Sequence, residues 1–178
     1  MTEKPKKKLK KPLKGSRRHA AVESLSMFGA STRMGPMGLY LYAENFLSAA
    51  KSVQAPVTAP RFPMARTFLV CRSLELALKA FLSLKGISLL ELTGGEYGHD
   101  LKGLIEQTEK RDLDTFVKLG DDQRAEIIRA STYYFEKVFE YPALMEALRG
   151  NPGLPSADVL IGAAEALVSA LQEPCRAA

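Results

Sequence analysis

The sequence holds no tryptophan, two cysteines and two histidines in 178 residues. Those four residues, His19, Cys71, His99 and Cys175, are scattered along the chain. A zinc centre needs three or four clustered donors, so no metal and no cofactor is expected. Two cysteines do not make a disulfide scaffold, and such sparse use fits a reducing compartment, hence a cytoplasmic setting. Cys71 falls on an apolar helical arc and reads as a small buried thiol, whereas Cys175 reads as part of a fraying C-terminal tail. No apolar run reaches the roughly 18 residues that span a bilayer, and no membrane partner is expected. The basic N-terminus lacks the apolar core of a secretory signal. No segment alternates apolar and polar residues long enough for a convincing strand, and no repeat recurs at solenoid periods.

Charge is present but unevenly placed. Residues 1–18 carry seven lysines, two arginines and one glutamate, a net of +8, so the formal +5 of the whole chain leaves −3 on the remainder. The basic character therefore belongs to a tail. Like charges that dense, broken by proline and glycine, predict a disordered arm. Lys6, Lys7, Lys8, Lys10, Lys11, Arg17 and Arg18 are its candidate contacts with phosphate backbones; a solvated tail that aids solubility is the plainer alternative. His19 to Met37 reads as a linker with room for a short helix over 20–28. Residues 1–37 are thus set apart from a folded body over 38–178.

The apolar fraction of 46% is enough for a sizeable core. Helix formers run without proline from Met64 to Lys85. Cys71, Leu74, Ala77, Leu78, Phe81 and Leu84 cover a wide arc at helical spacing, leaving a narrow polar stripe of Arg72, Glu75, Lys79 and Ser83. A helix apolar nearly all round belongs inside a bundle. Gly86 follows as its stop.

Around it the same spacing predicts a first helix over 38–54, with Leu39, Tyr42, Phe46, Ala49 and Val53 on one face. Pro56, Pro60 and Pro63 end it. A turn over 87–92, a helix capped by His99 or Asp100 and running to about Lys110, a helix from Asp121 to about Glu140 and a final one from Ala157 to Gln172 complete the pattern. The fold class is an all-α bundle of about five helices.

Three segments together resemble the HEPN domain family, the nucleotide-binding domains of higher eukaryotes and prokaryotes: Phe68 to Leu82 (FLVCRSLELALKAFL), Tyr97 to Leu101 (YGHDL) and Phe139 to Pro142 (FEYP). The agreement in order and spacing runs from about Gly38 to Gln172. The resemblance implies a HEPN-like helical bundle, often a homodimer, found in toxin–antitoxin, phage-defence and RNA-processing systems. Its partners would be a nucleotidyltransferase-like antitoxin, RNA or a nucleotide. Ribonuclease members place an Arg ahead of a His with four to six residues between them. Before His99 those positions are Leu92, Thr93 and Gly94; before His19 they are Pro12, Leu13 and Lys14. The motif is absent, and no catalytic role is carried onto this chain.

The candidate polar patch is Arg72, Glu75 and Lys79 on one stripe, with His99 and Asp100 brought near by the turn after Gly86. As a functional site, Arg72 and Lys79 would hold a phosphate and His99 would exchange a proton. As structure, a Glu75 inside the bundle needs partners, and His99 or a helix-start amide supplies one; ion-pair networks of this kind are common in folds, and the structural reading carries more weight. Tyr133, Tyr134, Phe135, Phe139 and Tyr141 form an aromatic group suited to a dimer interface or to base stacking, with core packing and a wet rim as the plainer reading. The leading expectation is a non-catalytic binding and dimerisation domain. A divergent ribonuclease or toxin using His99 with Arg72 or Lys79, and a nucleic-acid adaptor acting through the basic tail, are its alternatives.

Overall fold

The proline-free run that begins at Met64 makes a 21-residue helix, a rod about 30 Å long, and the other elements wrap it. The computed structural model describes residues 35–53, 63–93, 97–141 and 153–178. Along the chain the helices are α1 (Pro36–Ser52), α2 (Met64–Leu84), α3 (Leu89–Leu92), α4 (Leu101–Glu109), α5 (Asp121–Phe135) and α6 (Ala157–Ala177), with 3-10 turns at Leu113–Thr115 and Val138–Glu140. Among the described residues there is no strand, and the fold is an all-α bundle. The basic arm over 1–18, most of the linker, the middle of the proline connector and the turn expected over 143–148 lie outside the described residues.

α2 is the inner rod, and every residue from Ser73 to Leu82 is buried. It packs most extensively against α1 and α6, and also against α4, α5, α3 and the 3-10 turn Val138–Glu140. Leu74, Leu78 and Phe81 are wholly removed from solvent, and burying each such side chain stabilises the fold by about 1.5–3 kcal/mol. The rod ends at Gly86, whose φ of +88° lies in the left-handed region. The Ile87 N–H donates to the Leu82 carbonyl and the Gly86 N–H to the Ser83 carbonyl, the Schellman arrangement that closes a helix.

Four boundaries or faces differ from the sequence expectation. α1 starts at Pro36 rather than Gly38, because a proline at the first helical position gives up an N–H that has no helical partner anyway. Its inner face is Leu39, Tyr40, Ala43, Leu47 and Ala50, while Tyr42 is exposed. Two apolar stripes compete on this helix, and the one carrying small alanines allows the close approach in which Ser73 Oγ donates to the Ala43 carbonyl at 2.7 Å. α5 stops at Phe135, and Lys137 turns left-handed at φ 59°. That turn costs about 1–2 kcal/mol, offset by burying Val138 and Phe139 in the following 3-10 turn; Phe135 consequently faces solvent. Finally, α6 continues through Pro174 to Ala177, so Cys175 is buried in a helix rather than part of a frayed tail. Leu160, Ala164, Leu167, Leu171 and Cys175 continue one apolar stripe, and its burial outweighs the single backbone hydrogen bond that Pro174 removes.

Candidate functional site

Residues three and four apart on a helix share a face, so Arg72, Glu75 and Lys79 lie along one edge of α2. Packing then encloses that edge. The Glu75 side chain is 1% exposed and Lys79 9%, against 32% for Arg72. A carboxylate held this deep must find its partners inside the protein. Lys79 Nζ donates to Glu75 Oε1 at 2.7 Å, and Arg72 Nη1 to Oε2 at 2.8 Å. From α5, the Tyr134 hydroxyl donates to Oε2 at 2.6 Å. From the turn before α4, His99 Nδ1 lies 3.0 Å from the same oxygen. An ionised carboxylate only accepts, so the imidazole proton in this contact sits on Nδ1. Nε2 is then left to the outer side of a ring that is 52% exposed. The His99 ring also meets Tyr134 edge-on, centroids 6.0 Å apart.

Burial pushes the Glu75 carboxyl up, but the charges of Lys79 and Arg72 and the hydrogen bonds from Lys79 and Tyr134 together outweigh it, and the net shift is downward. Tyr134 moves the other way: burial, then the neighbouring Glu75 charge, holds its phenol well above the usual tyrosine range. Burial opposes the charge of Arg72, and Glu75 and Tyr134 more than restore it, so its guanidinium stays charged. Cys71, one turn before Glu75, is held far above the ordinary thiol range, first by burial and then by the Glu75 charge. It is a packed thiol without nucleophilic character at neutral pH.

Of the five residues anticipated for the patch, Arg72, Lys79 and His99 converge on the carboxylate of a fourth, Glu75. Asp100 does not join them. It caps α4, accepting from the Lys102 N–H at 3.1 Å and from Ser131 Oγ at 2.7 Å; Ser131 Oγ in turn accepts from the Lys102 N–H at 3.0 Å. Gly103 makes room for this cap, since a Cβ there would meet Asp100 Oδ2 at 2.8 Å. The candidate tail residues lie outside the described residues. Tyr134 is the member of the Glu75 cluster that sequence reasoning missed, and Ser131 is the partner it missed for the Asp100 cap. The available signal was chemical: a tyrosine on the inward face of a helix needs a partner for its hydroxyl, and Glu75 is a buried acceptor.

The aromatic group divides as well. Tyr134 belongs to the Glu75 cluster, Tyr133 stacks on Phe139 with centroids 6.1 Å apart, and Phe135 and Tyr141 are 61% and 55% exposed. Among the described residues no group of three or more histidine, cysteine or acidic side chains could hold a metal ion. Among them, too, no helix is long and apolar enough to cross a membrane. Comparison with family models, with curated proteins and with solved structures finds no match to the chain.

The cluster sets two formal positive charges against one negative. Both cations are spent on Glu75, and the nearby groove beside α4 and α5 carries Asp100 and Glu136 against one lysine, Lys102. That lining is a poor receptor for a phosphate, whose recognition needs an excess of directed cationic donors. What the arrangement does well is fix α2, α5 and the start of α4 against one another.

Proposed function

We propose that the chain is a HEPN-like helical domain that acts by binding and self-association rather than by cutting RNA, in a cytoplasmic toxin–antitoxin or phage-defence setting. The observation that carries this reading is the engagement of Lys79 at 2.7 Å and Arg72 at 2.8 Å with Glu75. A cation that would stabilise a cleaving phosphate has to be aimed at the phosphate, and here both cations are turned to a buried carboxylate. The resemblance supplies the family, and with it the partner classes: a second copy, a nucleotidyltransferase-like antitoxin, RNA or a nucleotide.

One observation favours the divergent ribonuclease as a second reading. With Nδ1 against Glu75, His99 presents Nε2 outward on a half-exposed ring, as a general base requires, and the partly exposed Arg72 reaches the same carboxylate oxygen. An assay for RNA cleavage in chelator separates the two. The binding reading predicts no cleavage above background by the wild-type chain and no change in His99→Ala. Metal-independent cleavage that disappears in His99→Ala would replace it with the ribonuclease.

A further inference from the structure

Helix α5 carries a second row of side chains beside its buried face, with Ile128 half-buried against the core and Thr132 and Phe135 exposed. Ile128, Thr132 and Phe135 stand at three- and four-residue spacing along it, and with Asp100, Lys102 and Glu136 they border a groove of about 360 Å³. Phe135 projects from this face at 61% exposure, a large apolar side chain that the fold itself does not use. The neighbouring small side chains, Ser131 and Thr132, leave the groove open between Ile128 and Phe135. The same patch thus holds a knob and a hole. It also holds both signs of charge: among the described residues neither the Lys102 nor the Glu136 side chain has an ion partner in its own chain.

We propose that this face of α5 is where a second copy of the chain docks, across a two-fold axis that passes between Ser131 and Thr132. The inference rests on the self-association put forward above and names its surface. A two-fold interface sets one patch against itself, so the patch must be self-complementary in shape and charge. Antiparallel pairing of α5 with its copy places Phe135 over the partner's Ile128, filling the groove twice. It brings Lys102 and the partner's Glu136 to the same rim, again twice. A basic partner would find only one net negative charge here and would leave Lys102 opposed; a nucleic acid would meet Asp100 and Glu136. The second copy alone answers the aromatic, the groove and both charges.

The test uses the full chain in sedimentation equilibrium, with helicity checked by circular dichroism; the side chains changed lie at the surface or the rim of a groove. The wild type is expected to dimerise. Phe135→Asp, Lys102→Glu and Glu136→Lys should each raise the dimer dissociation constant at least tenfold, and the Lys102→Glu/Glu136→Lys double variant should recover most of the loss, because the swap restores both cross-axis pairs. A wild-type dimer that is indifferent to all three single changes places the interface elsewhere and overturns this inference while leaving self-association standing. A wild type that stays monomeric at tens of micromolar overturns both. Loss of RNA binding in Phe135→Ala by a monomeric chain would assign the aromatic to base stacking and overturn the docking face.

Discussion

The Tyr134 hydroxyl lies 2.6 Å from Glu75 Oε2, a hydrogen bond between residues 59 positions apart. It ties α5 to α2 at the one point where α2 buries a charge. Hydrogen bonds to charged groups contribute about 1.5–3 kcal/mol, so Tyr134→Phe should destabilise by that amount in denaturant unfolding, with little change in helicity.

Removing the carboxylate itself is expected to be worse. Glu75→Ala leaves Lys79 almost wholly buried and Arg72 half-buried with no anion. Breaking one side of a buried pair costs about 3–5 kcal/mol, which for a chain of this size lowers Tm by about 10 °C. Replacing the group as a whole, as Arg72→Met, Glu75→Leu and Lys79→Met together, removes all three charges of this cluster and should regain most of the loss. A triple variant less stable than Glu75→Ala would show that the charges contribute more than mutual compensation.

How much of this was legible in the sequence depends on how local the cause was. The inner rod, its Gly86 stop and the Asp100 cap follow from side chains within one or two turns, and the periodicity of Leu74, Leu78 and Phe81 allowed only a buried helix. The convergence of Arg72, Glu75 and Lys79 follows from helical spacing, and that of His99 from the short path back from Gly86. Tyr134 was not legible as a member, because its contact depends on how α5 lies across α2. Nor was the inner face of α1, where two apolar stripes were equally periodic and only close packing against Ser73 chose between them. The end of α6 was not legible at Gln172 either: the burial of Leu171 and Cys175 carries the helix on through Pro174 to Ala177.

Acid should weaken the fold through the same cluster. A carboxylate with a lowered folded pKa stabilises above its unfolded value and loses that contribution as pH falls through the folded one. Glu75 starts from an ordinary 4.5 and is shifted down; Glu109, lowered first by its hydrogen bond from Arg124, acts in the same direction. Unfolding free energy should therefore decline as pH drops below about 4.5, and Glu75→Gln should flatten that decline relative to wild type. An identical acid limb in both proteins would count against the assignment.

The cysteines should be silent in the native state. Burial pushes the Cys175 thiol up to about 11, and Cys71 is wholly enclosed. Alkylation by iodoacetamide at pH 7.5 should be negligible until denaturant is added, when both react. Fast modification of Cys175 in native conditions would mean that the last turns of α6 open readily.

Any affinity for RNA should reside in residues 1–18, since the rest of the chain carries a net −3. Binding through lysines and arginines releases counterions and weakens steeply with salt. Deleting residues 1–18 should remove both the affinity and its salt dependence. Unchanged binding after the deletion would locate the nucleic-acid surface on the bundle instead.

The claim on which the rest turns is that Arg72 and Lys79 are held by Glu75 and are not free for a ligand. It is tested most directly by following the Glu75 carboxyl carbon by NMR through an acid titration. A midpoint below 4.5, the ordinary value for glutamate, is the predicted result, because only committed cations and donors can overcome the burial of this group. A midpoint above 4.5 would mean that Glu75 is buried without its cations, leaving Arg72 and Lys79 available to a phosphate, and would contradict the account.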